Sequence, residues 1–331
     1  MFTASPPLLR LIWGWSITCC FDHTVGTEPA PPKKYPGVFW VANVKPHYQC
    51  SLSSEGKDMV HKHVANLTSH NVGLIALIQF EFELEQPGGY TAFGAACVNK
   101  FPDPVVVLVD TRQFHIISGI GETVIGDYTQ VPFLSPGSKP TKGSMCVSDP
   151  AKGERGYAGA LLRHKASNVE VCVVSGTLPH CDGAWQPRFL DDIAESCKGR
   201  HLVLLMDTNA ACESLGPNAS KKVTMQDIGK THKAQWGTCS DPAILHEPTC
   251  CHDTLQGFPE ARYWYDRAAL CGGPGAVEQF RVHDKFVCNT NQEHKFTTAM
   301  VRIDGAMDYP SLVSAMLVVL FALLQHLAIP K

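Results

Sequence analysis

Short runs of consecutive apolar residues punctuate this chain and constrain its fold more than any other feature. Val38–Val44 (VFWVANV) and residues 74–80 (LIALIQF), 105–109, 157–163, 171–175 and 201–206 (HLVLLM) all have strand length. Most are apolar at successive positions rather than alternate ones, so both faces of those strands must be covered. Helical spacing recurs between them. Met59, Val60, His63, Val64 and Leu67 form one stripe over 54–70. Pro187 opens a second segment, 187–197, with Phe189, Leu190 and Ile193. Strand patterns return at 261–270, 279–288 and 295–303, and Gly, Pro and Ser cluster in loops at 84–90 and 132–145. No repeat or linker divides residues 37–304, which read as one α/β domain.

Composition narrows the function classes. Among 331 residues, Lys plus Arg total 28 and Asp plus Glu total 31, a net charge of −3. Such a chain does not hold nucleic acid through dozens of phosphate contacts, and any such binding is local. With 44% hydrophobic and 18% charged residues it is globular rather than disordered. Residues 8–20 are short and apolar, as in a secretion leader over 1–26, although Arg10 interrupts the run. Residues 312–329 form an 18-residue, nearly uncharged run within a hydrophobic tail, 305–331. Asp304, Gly305 and Ala306 before it are small enough for a lipid-anchor site; a single membrane span and a buried helix are the other readings. Asn66-Leu67-Thr68 and Asn218-Ala219-Ser220 are glycosylation sequons. Outside the leader, cysteines stand at 50, 97, 146, 172, 181, 197, 212, 239, 250, 251, 271 and 288, an even count that suits an oxidised framework of unspecified connectivity. A secreted or surface-anchored monomer is the expectation.

Polar residues suited to metal and phosphate chemistry sit at the strand ends. Asn43 closes the first run; Gln79, Glu81 and Glu83 follow the second; Asp207 and Asn209 end HLVLLMDTNA. Asp266 and Arg267 lie in ARYWYDRAAL, and His283-Asp284 precede Lys285-Phe286-Val287. Asp and Asn often form turns at strand ends. Five such ends in succession carry more weight than any one of them.

In their order and approximate spacing, these motifs resemble the endonuclease/exonuclease/phosphatase superfamily of DNase I-like metal-dependent phosphodiesterases, over roughly residues 37–303. The resemblance implies a four-layer α/β (α+β) sandwich, two packed mainly antiparallel sheets with helices outside. It also implies Mg²⁺ or Mn²⁺ held by Glu81 with Asn43 beside it, Glu83 being the competing position. Asp207 inherits the role of orienting or deprotonating water, and Asn209 that of contacting phosphate. His180 would stabilise the transition state, although the family places that histidine near where Thr177 stands. Asp266 joins the catalytic set, and Arg155, Tyr157 and Arg267 are the substrate-binding candidates.

The closing motif departs from the family. The usual Ser-Asp-His is Val282-His283-Asp284 here, so a regular strand would point His283 and Asp284 to opposite faces. A bulge near Val282 would turn His283 inward; the expectation is that one of the two, not a hydrogen-bonded dyad, contacts the site. The implied activity is a secreted or membrane-anchored phosphodiesterase acting on nucleic acid or phospholipid. Tyr265-Asp266-Arg267 favours a DNase I-like endonuclease. A phosphoinositide or sphingolipid phosphatase or phosphodiesterase, and a surface binding protein that lost the His–Asp pair, are the alternatives.

Overall fold

The computed structural model describes residues 37–46, 53–79, 87–95, 105–120, 124–126, 146–149, 153–178, 193–209, 222–231, 236–250, 263–283 and 294–304. The first half of the fold comprises β1 (Val38–Val44), α1 (Ser54–Ser69), β2 (Leu74–Ile78), β3 (Tyr90–Ala95), β4 (Val105–Asp110), β5 (Phe114–Gly119), β6 (Val124–Gly126) and β7 (Cys146–Asp149). After these come β8 (Gly153–His164), β9 (Glu170–Thr177), β10 (His201–Asp207), α2 (Met225–Thr231), β11 (Cys239–Ser240), β12 (Asp266–Cys271), β13 (Gly275–Val282) and β14 (Thr297–Ile303). The two apolar ends of the chain, the leader and the tail, lie outside the described residues. Among those described, no helix is long and apolar enough to cross a membrane.

The described strands form two seven-stranded sheets. One runs β13-β14-β1-β2-β4-β3-β6; the other runs β11-β12-β10-β9-β8-β5, with β7 added to β8. Only β1–β2 and β9–β10 pair in parallel among the described strands. Parallel neighbours need a crossover, and α1 supplies it between β1 and β2. Ser53 caps α1 by accepting from the Gly56 N–H at 3.0 Å. Val60, Val64 and Leu67 then pack on Trp40, Ala42, Ile75 and Leu77 of the first sheet. Met59, expected on that stripe, is exposed.

The continuous apolar runs are explained by the layers on either side. Phe39, Val41, Leu74 and Ala76 meet Leu162, Val173, Val203, Leu205 and Ala268 between the sheets. On the far side of the second sheet, Cys172, Leu204 and Met206 pack against Ile193, Met225, Ile228 and Trp236. Disulfides Cys172–Cys197 and Cys239–Cys271 tie this outer layer and the β11 edge to the sheet. The architecture is the expected four-layer sandwich. Boundaries moved most in the last third: the strand expected over 279–288 is β13, ending at Val282, and the one over 261–270 begins at Asp266.

Candidate functional site

Side-chain parity assembles the site. In β10, Val203 and Leu205 face the inter-sheet core and Leu204 and Met206 the outer layer, so Asp207 continues the inward series. Asp266 stands opposite Asp207 in the β10–β12 register and shares its face with Ala268 and Leu270. Across the gap, Asn43 follows Phe39 and Val41 inward, and Lys45 follows Asn43 two residues on. The four side chains therefore meet at one end of the space between the sheets. His294 reaches the same place from just before β14. Its segment is anchored by the Lys295 N–H donating to the Thr249 carbonyl at 2.8 Å. The Thr249 hydroxyl in turn accepts from the Asp266 N–H at 3.1 Å.

The polar contacts form one chain. Lys45 Nζ donates to Asp207 Oδ2 and lies 3.2 Å from His294 Nε2. His294 Nδ1 is 2.7 Å from Asp266 Oδ2. A carboxylate can only accept, so Nδ1 carries the proton and Nε2 accepts from Lys45. The Asn209 N–H donates to Asp207 Oδ1 at 3.1 Å, and Asn209 Nδ2 to the Leu178 carbonyl at 2.7 Å. Asn43 Nδ2 donates to the Met206 carbonyl at 3.3 Å, bridging the sheets. Asn209 adopts φ +42° at the exit of β10 and Gln79 adopts φ +56° at the exit of β2. Non-glycine residues seldom adopt this conformation, and Asn tolerates it better than most. Both bends fall at strand ends where the sequence places its chemistry.

Burial by itself would raise the Asp207 carboxyl, which is fully enclosed. The positive charge of Lys45, with hydrogen bonds from Lys45 and the Asn209 N–H, overcomes it and holds Asp207 well below the usual carboxylate range. Asn43 Oδ1, Asp266 Oδ1 and the Thr177 hydroxyl are buried with no hydrogen-bond partner among the described residues. Such groups are costly to leave unsatisfied. Asp207, Asp266 and His294 bring their ligand atoms within 4.8 Å of one another. Two carboxylates, an imidazole and orphan amide and carboxylate oxygens are donors that fit a divalent cation.

The structure thus gathers Asn43, Asp207, Asn209 and Asp266. It separates others. His283 requires a revised placement: a register shift does occur, but between Glu278 and Arg281. Val282 consequently packs against the inter-sheet core and His283 faces outward. There its Nε2 lies 2.9 Å from the Thr298 hydroxyl, its ring stacks on Phe296 at 3.9 Å, and Phe296 also meets His63 at 4.0 Å. Arg267 also faces away from the cluster, because it alternates with Asp266. It is fully buried, donates to the Val223 carbonyl at 3.0 Å and lies 4.0 Å from Asp241, so it braces the outer layer instead of greeting substrate. Tyr157 is fully buried in that same outer core. Arg155 pairs with Val147 in the β7–β8 register. Glu81, Glu83, His180 and Asp284 lie outside the described residues.

Two members of the cluster escaped sequence reasoning, Lys45 and His294. Each had a signal. Lys45 lies two residues after Asn43 and so on its face. Glu293-His294 reads acid-then-histidine immediately upstream of TTAMVRI, the order sought ten residues earlier.

No protein-family model matches the sequence, and no curated protein matches it. Solved structures do. The human Nocturnin catalytic domain, determined with a bound sulfate anion, superposes with a TM-score of 0.51 at 12% identity, covering 82% of this chain and 96% of that one. The endonuclease/exonuclease/phosphatase from Bacteroides vulgatus gives 0.53 at 11% identity, covering 81% and 99%. A mannosyl-6-phosphatase from Bacteroides thetaiotaomicron gives 0.50 at 12%, covering 80% and 99%. The fold is therefore that of the endonuclease/exonuclease/phosphatase proteins, a DNase I-like sandwich.

Proposed function

We propose that the chain is a divalent-cation-assisted phosphodiester hydrolase, with nucleic acid as its leading substrate class. One observation carries the reading: Asn43, Asp207, Asn209, Asp266 and His294 converge, buried, at one end of the inter-sheet space. A cation held by Asp207 and Asp266, with Asn43 and the expected Glu81 as further ligands, would supply charge neutralisation on the phosphate. The remaining work falls to the chain. Asp207, kept ionised, orients a water or takes its proton. Asp266 fixes the His294 tautomer, so that Nε2, which accepts from Lys45 in the resting site, is the nitrogen that would accept or return a proton at the reacting oxygens. Asn209 holds the Leu178 carbonyl just past the end of β9.

We place the protein on the secretory route, secreted or anchored by its tail. The support is the disulfides, Cys172–Cys197 and Cys239–Cys271 among them, the two sequons and the apolar ends. Alkylation of unreduced protein from its own cells is expected to label a minority of thiols; labelling of all 14 cysteines overturns the placement.

Asp207→Asn keeps the shape of the side chain and removes its charge. Cleavage of plasmid DNA, RNA and a chromogenic phosphodiester should fall by about two orders of magnitude or more in the variant, and should stop on chelation in the wild type. Phospholipid cleavage alone would reassign the substrate. No turnover on any phosphoester would leave a binding protein.

A further inference from the structure

Two of the three side chains that can hold a cation are already held by a cation of the chain itself. Lys45 crosses from the end of β1 in one sheet to Asp207 of the other and also reaches His294, with a side chain only 6% exposed. A buried lysine is costly unless its partners are good, and here both are buried with it. Its ammonium has three N–H donors, and these partners take two. Asp266 Oδ1 and Asn43 Oδ1 remain unpartnered among the described residues.

We propose that Lys45 is a built-in cation of this centre, performing part of the charge neutralisation a divalent ion would perform and weakening binding of such an ion at Asp207 and Asp266. The inference rests on the phosphoester reading of the site. The ammonium keeps Asp207 ionised and Nε2 of His294 occupied, and its third N–H is a donor for a phosphate oxygen. A second positive charge entering the same carboxylate pair meets the first at close range in a water-poor setting, where repulsion is strong.

The test reads binding, so it is independent of turnover. Mn²⁺ titrated calorimetrically into the full chain should bind Lys45→Met at least about tenfold tighter than wild type, the repulsion having gone. Lys45→Arg, which keeps the charge, should bind as weakly as wild type. Equal or weaker Mn²⁺ binding by Lys45→Met overturns the proposal. If Lys45→Met folds poorly, its melting temperature should rise more on Mn²⁺ addition than that of wild type, and equal rises overturn it. Wild type gives a further measurement that needs no variant. Inorganic phosphate should still bind in excess chelator; phosphate binding that vanishes with the metal refutes a built-in cation. Loss of turnover in Asp207→Asn with none of these shifts would sustain the hydrolase and reject the role of Lys45.

Discussion

Two of the places where the protein encloses a histidine differ in their surroundings, and those surroundings decide what each histidine can do. His294 lies between Asp266 and Lys45 in the inter-sheet cluster, with Asp207 beyond the lysine. His283 lies on the opposite face of the same sheet, beneath α1, among Phe296, Thr298 and His63. Only the first has a carboxylate on one ring nitrogen and an ionised chain of partners. In the second, burial and then Arg281 push the His283 imidazole down to about 4, and burial and then His283 push His63 to about 4. A histidine kept neutral against an aromatic ring is packing; one tied to a carboxylate can move protons.

The largest expected effect is a kinetic separation of the two. His294→Ala should lower turnover by about 10²–10⁴-fold, the range for a lost proton-transfer group. His283→Ala should leave turnover within a few-fold and instead lower stability. Parallel rate and urea-unfolding measurements on both variants check this. The reverse pattern, with His283→Ala inactive and His294→Ala active, would break the comparison and restore the motif at 282–284.

A smaller effect separates them by pH. For His63 and His283 the folded pKa, about 4, is below the ordinary 6.5. The unfolded chain then binds more protons between these values. The stabilisation is complete above about 6.5 and is lost as the pH falls toward 4. Asp207 shifts the same way but from a carboxylate's lower starting point, so the cluster loses its share only under stronger acid. Unfolding free energy should therefore fall between pH 6.5 and 4, with α1 yielding first by hydrogen exchange. His283→Gln should flatten that fall by on the order of 2 kcal/mol. His63, still buried in the variant, and His164, pushed by burial to about 4 between Phe39 and Phe114, supply the fall that persists. An unchanged profile in His283→Gln would mean that its burial carries no linkage.

Much of this was legible beforehand, and the exceptions have physical causes. Strands covered on both faces announce themselves as unbroken apolar runs, which is why β1, β2, β4, β9 and β10 match the expected segments closely. β5 alternates exposed and buried residues at a sheet edge and was not anticipated. Asn43, Asp207 and Asp266 were found because they end strands, and the parity of each strand then carries them inward. That same parity misled at Arg267: adjacency to Asp266 in sequence means opposition in a sheet, so a plausible phosphate clamp became a brace behind it. His283 failed for a related reason. A bulge near Val282 would have turned it inward; the extra residue falls instead between Glu278 and Arg281, where Gln279 adopts φ +47°, and leaves His283 turned out. Lys45 was passed over because a lone lysine after a strand ordinarily reads as a solvated end; only the layer opposite it, invisible in sequence, supplies the carboxylate that buries it.

The smallest effect concerns the helix that covers the His283 face. Ser53 takes β-region backbone angles and its hydroxyl accepts from the Gly56 N–H, satisfying one of the donors that the first turn of α1 leaves open. Ser53→Ala removes that acceptor while touching neither sheet nor cluster, and should cost about 1 kcal/mol of stability. Because, among the described residues, α1 packs on the outer face of its sheet through Val60, Val64 and Leu67, the loss should weaken protection of the α1 amides and leave turnover and phosphate binding unchanged. The comparison predicts this one-sidedness: the outer layer can loosen without moving Asn43, Lys45 or Asp207, which are held by bonds across the inter-sheet gap. Hydrogen exchange and steady-state rates on the same variant decide it. If a cap deletion at Ser53 changes the rate by more than about the threefold that separates background from effect on the scale of half a kcal/mol, then the two faces of the sheet are coupled and the histidine beneath α1 acts on the site after all.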